Sequence, residues 1–339
     1  MKKIITFVVP SYNSESYLHK CVDSLLVGGD EVEILIVNDG STDRTGAIAD
    51  EYEAKYPGIV RAIHQENKGH GGAINTGLAN ATGEFFKVVD SDDRVAADAY
   101  SQVMNVLRKA VMEEHELDLL ISNYVYDKQG VHRKKVMRYA SILPQNQYFT
   151  WDDCGYFGPT KYILMHSTTF RTSLLRDIGL VLPEKVFYED NIFVTKAMAA
   201  SEVLYYLDVN FYWYFIGRAD QSVNEQVMIG RLDQQLAIDR MMIDYLDIAG
   251  MESRKQRKCL LQYLEMQMVV SSIMCILSKT PERLQDKKAL WKQLKGKNGA
   301  VYRRIRWSLM GFWMNLPGRF GRFLSVVGYK AMNKIFGFN

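Results

Sequence analysis

Short apolar runs alternate with helix-spaced apolar positions through the first ninety residues. Ile4–Val9, Val32–Val37, Ile59–Ile63 and Glu84–Val89 read as strands, because near-continuous apolar runs of this length fit strands buried on both faces. Between the first two, Leu18, Cys21, Val22, Leu25 and Leu26 recur on one helix face. A second helix is predicted from about Asp43 to the Pro57-Gly58 break. A third opens at Asn67-Lys68-Gly69-His70-Gly71-Gly72 and stops before Thr82-Gly83. Such alternation predicts an α/β sandwich with a mostly parallel central sheet, in which ligands bind beyond the carboxyl ends of the strands. The polar clusters Pro10–Asn13, Asn38–Ser41 and Asp90–Asp93 stand at those ends and should share one crevice.

From residue 100 the pattern is mixed. A helix from Tyr100 to roughly Glu116 leads to a strand, Leu117–Ser122, and a hairpin region around Asp127-Lys128-Gln129-Gly130. A helix follows Glu189-Asp190 as far as Ser201, and Val203–Tyr206 and Phe211–Phe215 read as extended. Beyond Asp220 the signal is helical, over Leu232–Ile248, Arg254–Leu277 and Pro281–Leu294. The expected domains are 1–220, carrying the chemistry, and 221–339, a helical region.

Composition changes this picture little. With 339 residues, 47% of them hydrophobic, the chain has room for roughly two domains and a sizeable core. Its four cysteines are scattered without metal-type spacing and read as small buried hydrophobes of a reducing compartment. No HxH or HExxH pattern points to zinc. The run Ile4–Val9 is shorter than a signal-peptide core, and Met266–Leu277 is short of a bilayer span and interrupted by Ser271-Ser272. A soluble or peripheral cytoplasmic protein is expected. Charge is more telling. After Asp286 there are twelve basic residues and no acidic one, which leaves 30 basic against 39 acidic before it. Two regions of opposite sign should face different partners.

The chemistry begins at Asp90-Ser91-Asp92-Asp93, directly after the apolar run Phe85-Phe86-Lys87-Val88-Val89. Side chains at i and i+2 of an extended segment share a side, so Asp90 and Asp92 can aim at one point. Hard divalent cations take oxygen ligands, and Mg²⁺ characteristically uses one or two carboxylates plus substrate phosphates. A metal–diphosphate site at a strand end is the sharp reading, and an acidic loop with an Asp helix cap is the plain one.

Five segments then decide between them: Val8–Asn13, Val37–Asp43, Asn67 through Asn75, Asp90–Asp93 and Tyr188-Glu189-Asp190-Asn191. In order and spacing they resemble the family 2 glycosyltransferases, over roughly residues 1–220. The resemblance implies a GT-A fold, a Rossmann-like αβα domain that binds a nucleotide-diphospho-sugar and a divalent metal. Under it, Pro10, Tyr12, Asn13 and Glu15 line the nucleotide cleft. Asp39 accepts from a uracil N–H, and Gly40 lets backbone approach. Asn67, Lys68 and Gly71 belong to the loop that would offer backbone N–H groups to phosphate. Asp90-Ser91-Asp92 matches the DxD motif, in which Asp92 coordinates Mn²⁺ or Mg²⁺ and Asp90 holds the ribose or shares the metal site. Asp93 is left a supporting role.

The Glu189-Asp190 pair matches the family's acidic pair, with Asp190 as the general base that deprotonates an acceptor hydroxyl. Read alone, Asp190 is also a good helix N-cap. Family members of this type invert the anomeric centre by single displacement. The absence of a QxxRW motif disfavours a processive synthase, and Gly217–Ser222 resembles a segment of non-processive members. Expected partners are a UDP-sugar and a glycan or polyprenyl-diphosphate-linked acceptor, in surface polysaccharide assembly. A nucleotidyltransferase, or a non-catalytic sugar-nucleotide-binding partner, is the alternative.

Residues 300–339 interleave Arg303, Arg304, Arg306, Arg319 and Arg322 with Trp307, Phe312, Trp313, Phe320, Phe323, Tyr329, Phe336 and Phe338. That mixture suits an anionic membrane surface, to which each basic residue contributes about 1 kcal/mol. A helix packing its aromatics inward is the competing reading, and no nucleic-acid motif accompanies the segment.

Overall fold

The structure, a computed structural model, describes residues 2–114, 116–131, 134–158, 161–216, 225–248 and 250–336, the last four without side chains. Two compact units emerge. One comprises Met1–Tyr156 and Ile163–Gly217, the other Phe157–Tyr162 and Arg218–Asn339. The segment Gly217–Ser222 singled out above, and Phe338, lie outside the described residues.

The first unit is built on a 10-stranded sheet. Its strands are β1 (Ile5–Ser11), β2 (Val32–Asp39), β3 (Val60–Gln65), β4 (Phe85–Val88), β5 (Arg94–Val95), β6 (Leu119–Lys128), β7 (Lys135–Met137), β8 (Tyr148–Phe149), β9 (Thr168–Arg171) and β10 (Leu204–Ile216). Its helices are α1 (Leu18–Leu25), α2 (Thr45–Lys55), α3 (Gly69–Asn80), α4 (Ala97–Met112), α5 (Thr172–Asp177) and α6 (Asp190–Ala200). Strands β3, β2, β1 and β4 lie side by side and parallel. Every residue of β1, β2 and β4 is buried, as continuous apolar runs covered by helices on both faces require. Because Ser11 pairs with Asn38 and Asn38 with His64, the carboxyl ends of these strands fall on one edge.

Sequence periodicity did not foresee β9. It inserts antiparallel between β4 and β6, while β6 and β10 run parallel to each other. The two extended pieces expected at 203–215 form one strand, β10, whose register shifts between Leu207 and Tyr212 mark the polar interruption between them. Lys87, in the middle of β4, is wholly buried. Its Nζ donates to the carbonyls of His166 at 2.8 Å and Thr168 at 3.0 Å, and burial lowers its pKa to about 7. Those carbonyls belong to the turn before β9 and to its first residue, so the lysine ties β4 to the segment that brings in His166.

The second unit is helical: α7 (Glu225–Gly230), α8 (Leu232–Tyr245), α9 (Arg254–Leu277), α10 (Pro281–Lys297), α11 (Gly299–Arg306), α12 (Leu309–Met314) and α13 (Gly318–Phe336). Here the sequence expectation is corrected. Helix α9, with 24 residues, is long and apolar enough to cross a membrane, the one such helix among the described residues, because its apolar face begins before Met266. Of its most apolar stretch 61% is buried inside the fold. There Ser272 Oγ accepts from Trp291 Nε1 at 2.9 Å, and Gln235 Nε2 donates to Gln267 Oε1 at 3.0 Å. All four cysteines are buried, as expected for small hydrophobes.

Candidate functional site

The polar edge of the sheet is assembled by cross-links between loops far apart in sequence. At the end of β1, Asn13 adopts a left-handed backbone (φ 49°) and its Oδ1 accepts from the Thr42 N–H at 2.9 Å. Glu15 Oε2 accepts from the Arg44 N–H at 3.0 Å, and Asp43 Oδ2 accepts from the Glu15 N–H at 3.1 Å. Each loop thus satisfies donors that the other leaves open at a helix start. Pro10 is buried in β1, whereas Tyr12 is 54% exposed, a large aromatic surface at the mouth of the crevice.

Asp39 faces inward. It is 2% exposed and accepts from Gln65 Nε2 at 2.7 Å, from the Lys68 N–H at 2.7 Å and from the Gly69 N–H at 2.8 Å. Three of a carboxylate's roughly four acceptor positions are therefore occupied by protein donors. The loop N–H groups expected to greet phosphate here orient Asp39 instead. Gly40 (φ 70°) lies so close to Asn67 that an added Cβ would stand 2.8 Å from its nitrogen. Asn67 Nδ2 in turn donates to the Asp39 carbonyl. Gly71 is packed under the 183–189 loop, where a Cβ would meet the Pro183 carbonyl at 2.6 Å. Lys68 stands 3.9 Å from Glu184, and Asn75 exchanges two 2.9 Å hydrogen bonds with the Leu182 backbone. These residues clamp α3 to the 182–189 loop.

That clamp delivers the central feature. His70, in the first turn of α3, bonds Glu189 Oε1 through Nδ1 at 2.6 Å and Asp90 Oδ1 through Nε2 at 2.9 Å. Burial alone would lower its pKa, but hydrogen bonds to Asp90 and then Glu189 raise it well above the ordinary value, so it is an imidazolium. Burial opposes the charge on Asp90 as well, and the His70 hydrogen bond holds that carboxyl below the usual range. One cation therefore joins the end of β4 to the start of α6. Glu189 is buried and occupies the N-cap position of α6 without making a side-chain cap bond. Asp190 is the first helical residue, half-buried, with Oδ1 3.2 Å from Asn191 Nδ2. Burial, with Glu189 alongside, pushes its carboxyl up to about 7.

Beyond Asp90 the chain turns sharply. Ser91 Oγ meets Ser14 Oγ at 2.7 Å, Asp92 is half-buried, and Asp93 turns into the core. There it accepts from Tyr212 Oη at 2.5 Å and the Phe215 N–H at 2.6 Å, because β5 pairs Val95 with Tyr212. Burial, then the Asp90 and Asp92 charges, push the Asp93 carboxyl well above the usual range. Ligand atoms of Asp90, Asp93 and His166 all lie within 4.8 Å of one another. The His166 ring packs against Tyr212 and Tyr214, with centroids 4.8 and 4.4 Å away, and its Nδ1 is buried without a partner. Burial lowers its pKa to about 4, which leaves a neutral imidazole with an available lone pair. Two carboxylates and one such imidazole suit a divalent ion of the Mn²⁺ kind, and a dication would relieve the repulsion that raises Asp93. Asp92, expected as the ligand, stands beside this group.

His70, His166 and Tyr212 were not singled out from the sequence. For His70 a signal existed, an imidazole between glycines at a helix start in the loop already suspected. His166 and Tyr212 carry no local mark.

Comparison with known proteins gives the family and the fold. A family model described as glycosyl transferase family 2 matches residues 6–178. Glycosyltransferase GlyA of Streptococcus pneumoniae is 32% identical over 230 residues, covering 64% of this chain and 31% of that protein. This chain spans less than two thirds of the length of such curated relatives. The crystal structure of Staphylococcus aureus TarS 1-349 in complex with UDP-GlcNAc matches with a TM-score of 0.68 at 20% identity, over 98% of this chain and 91% of that one. The mannosyltransferase PcManGT of Pyrobaculum calidifontis, in complex with GDP-Man and Mn²⁺, matches at 0.58 and 16% identity over 96% and 87%. The fold is α/β of the GT-A type, with a helical C-terminal region.

Proposed function

Because this chain belongs to glycosyl transferase family 2, we propose that it moves a sugar from a UDP-sugar to a hydroxyl of a glycan or lipid-linked acceptor, inverting the anomeric carbon. The observation that carries the reading is the His70 bridge, which holds the carboxylates of Asp90 and Glu189, the residue next to Asp190, on one imidazole. A donor's departing diphosphate and an acceptor's proton need their handling groups side by side, and this bridge supports that arrangement.

The nucleotide is proposed to lie over the carboxyl ends of β1, β2 and β4. Tyr12 offers a ring for the base. Pro10, Asn13, Glu15, Asp39, Gly40, Asn67, Lys68 and Gly71 shape the cleft beneath, Asp39 chiefly by holding the glycine loop. Ser91 and Asp90 approach the ribose and diphosphate. Asp90, Asp93 and His166, with Asp92 adjacent, would hold Mn²⁺ or Mg²⁺, whose charge stabilises a departing UDP. Asp190 takes the acceptor's proton as general base, and Glu189 orients His70. The acceptor is proposed to be a glycan under construction or a polyprenyl-diphosphate-linked sugar, met at the cytoplasmic face of the cell membrane. Intact Asp90, Asp92 and Asp190 argue against a non-catalytic partner role.

A UDP-release screen across UDP-sugars with Mn²⁺, using lipid-linked acceptors, tests the reading. At least one donor is expected to be consumed in an acceptor-dependent way. Its kcat/KM should rise with pH through about 7 and level off above, since a base whose pKa is raised to about 7 works only after losing its proton. A rate independent of pH between 6 and 8, or no turnover of any UDP-sugar, would overturn it. His70→Ala is expected to lower kcat by about 10–100-fold, the usual cost of losing a residue that orients site carboxylates. The donor KM should move less, because His70 stands beneath the reacting groups. An equal loss in UDP affinity alone would assign His70 to binding instead.

A further inference from the structure

We propose that the outer face of α13, with the α11–α12 corner before it, is a docking surface for an anionic lipid bilayer. The inference rests on the membrane placement proposed above, but its test requires no turnover. Helix α13 carries an apolar stripe on its outer face. Its buried positions are small: Gly321, where an added Cβ would lie 2.6 Å from the Leu316 Cβ, and Ser325, whose Oγ donates to the Trp313 carbonyl at 2.8 Å. Of its larger apolar residues, Leu324, Val326 and Tyr329 are half-buried, whereas others point outward. Phe320 is 73% exposed, Phe323 61% and Val327 48%, at positions i, i+3 and i+7 of one stripe. Trp307, Leu309, Phe312 and Trp313 add exposed apolar surface just before it. Among the described aromatics of α13, Phe320 and Phe323 stand outward while Tyr329 is half-buried beside Glu225.

Charge selects the occupant. Exposed Arg303, Arg304, Arg319 and Lys330 accompany these rings, and no acidic residue follows Asp286. A second copy of the chain would bring two such cationic surfaces together. An anionic bilayer supplies both phosphate for the arginines and an apolar boundary for the rings. With Arg319, Arg322 and Lys330 along its length, α13 would lie in the interface plane and not span it.

Flotation of the full chain with phosphatidylcholine vesicles, with and without phosphatidylglycerol, reads this directly. The chain is expected to float with the anionic vesicles and remain below with neutral ones. The double variant F320S/F323S should lose binding about tenfold or more, because apolar area drives interfacial binding. R319Q/R322Q should bind normally at low salt and release at lower salt than the parent, as charge pairing is screened. UDP binding by both variants confirms that they are folded. A chain that ignores anionic vesicles, or a F320S/F323S variant that floats like the parent, would refute the surface. So would sedimentation showing a dimer that F320S/F323S breaks while vesicles are ignored. A chain that floats yet consumes no UDP-sugar would sink the sugar-transfer reading and leave this one standing.

Discussion

Asp190→Asn is expected to reduce sugar transfer by about 10²–10⁴-fold, the range for loss of a positioned general base, while UDP still binds. That corresponds to roughly 3–5 kcal/mol of barrier. The expectation follows from environment more than from motif. Glu189 is buried against His70, and Asp190 is left half-buried at the start of α6 with its carboxyl raised to about 7. The variant also separates chemistry from capping. A carboxyl whose pKa is higher in the folded chain than in the unfolded one, where it lies near 3.9, costs stability as pH climbs between those values. The full cost is present above about 7 and absent below about 4. Asn removes that cost, so the variant should be at least as stable as the parent at pH 8, judged by thermal unfolding. Asn caps as well as Asp, so a purely capping role would leave transfer intact in this variant, and only Asp190→Ala would then cost about 1 kcal/mol of stability. Full retained transfer would remove the base assignment.

Chelation of divalent cations is expected to lower transfer by about 10³-fold, because the departing diphosphate would lose several kcal/mol of charge stabilisation. UDP affinity should fall with it. The site prepares for a cation in three ways. Asp90 and Asp93 converge, the Asp92 charge stands beside them, and His166 keeps a buried, unpartnered Nδ1. Adding Mn²⁺ back should restore both rate and UDP binding, followed by calorimetry. In His166→Ala the concentration of Mn²⁺ needed for half-maximal UDP binding should rise about 10-fold or more, as expected for loss of one ligand of a preformed set. Unchanged UDP affinity and rate in EDTA would show that the acidic group serves folding alone.

Much of this is legible in the sequence. The parallel strands β1 to β4, their order of appearance and the polar clusters at their ends follow from runs and breaks within about ten residues. Asp90 stood out because acidic residues directly after a buried strand are locally anomalous, whereas the Glu189-Asp190 pair stood out only through the family resemblance, since an acidic residue before a helix is an ordinary cap. Other assignments shifted meaning. Asp39 reads as a ligand for a base, yet it supports the Lys68-Gly69 backbone. Glu15 and Asn13 read as cleft residues, and they also stitch two loops together. Lys87 reads as part of an apolar run, and it is buried because the His166 and Thr168 carbonyls, about eighty residues away, meet its ammonium.

By itself the sequence determined the secondary-structure alternation, the edge of the sheet where chemistry gathers, the family, and the sign of charge on the tail. Hydrophobic periodicity, turn residues and helix breakers act over a turn or a strand, so they are written locally. Only the tertiary structure decided that His70 reaches Glu189 across 119 residues and ties it to Asp90, that Asp93 and His166 close on the same point as Asp90, and that α13 turns Phe320 and Phe323 outward. Those outcomes depend on which distant backbone arrives beside each side chain. A strand such as β9, inserted against the parallel run, decides that only when the whole sheet has closed.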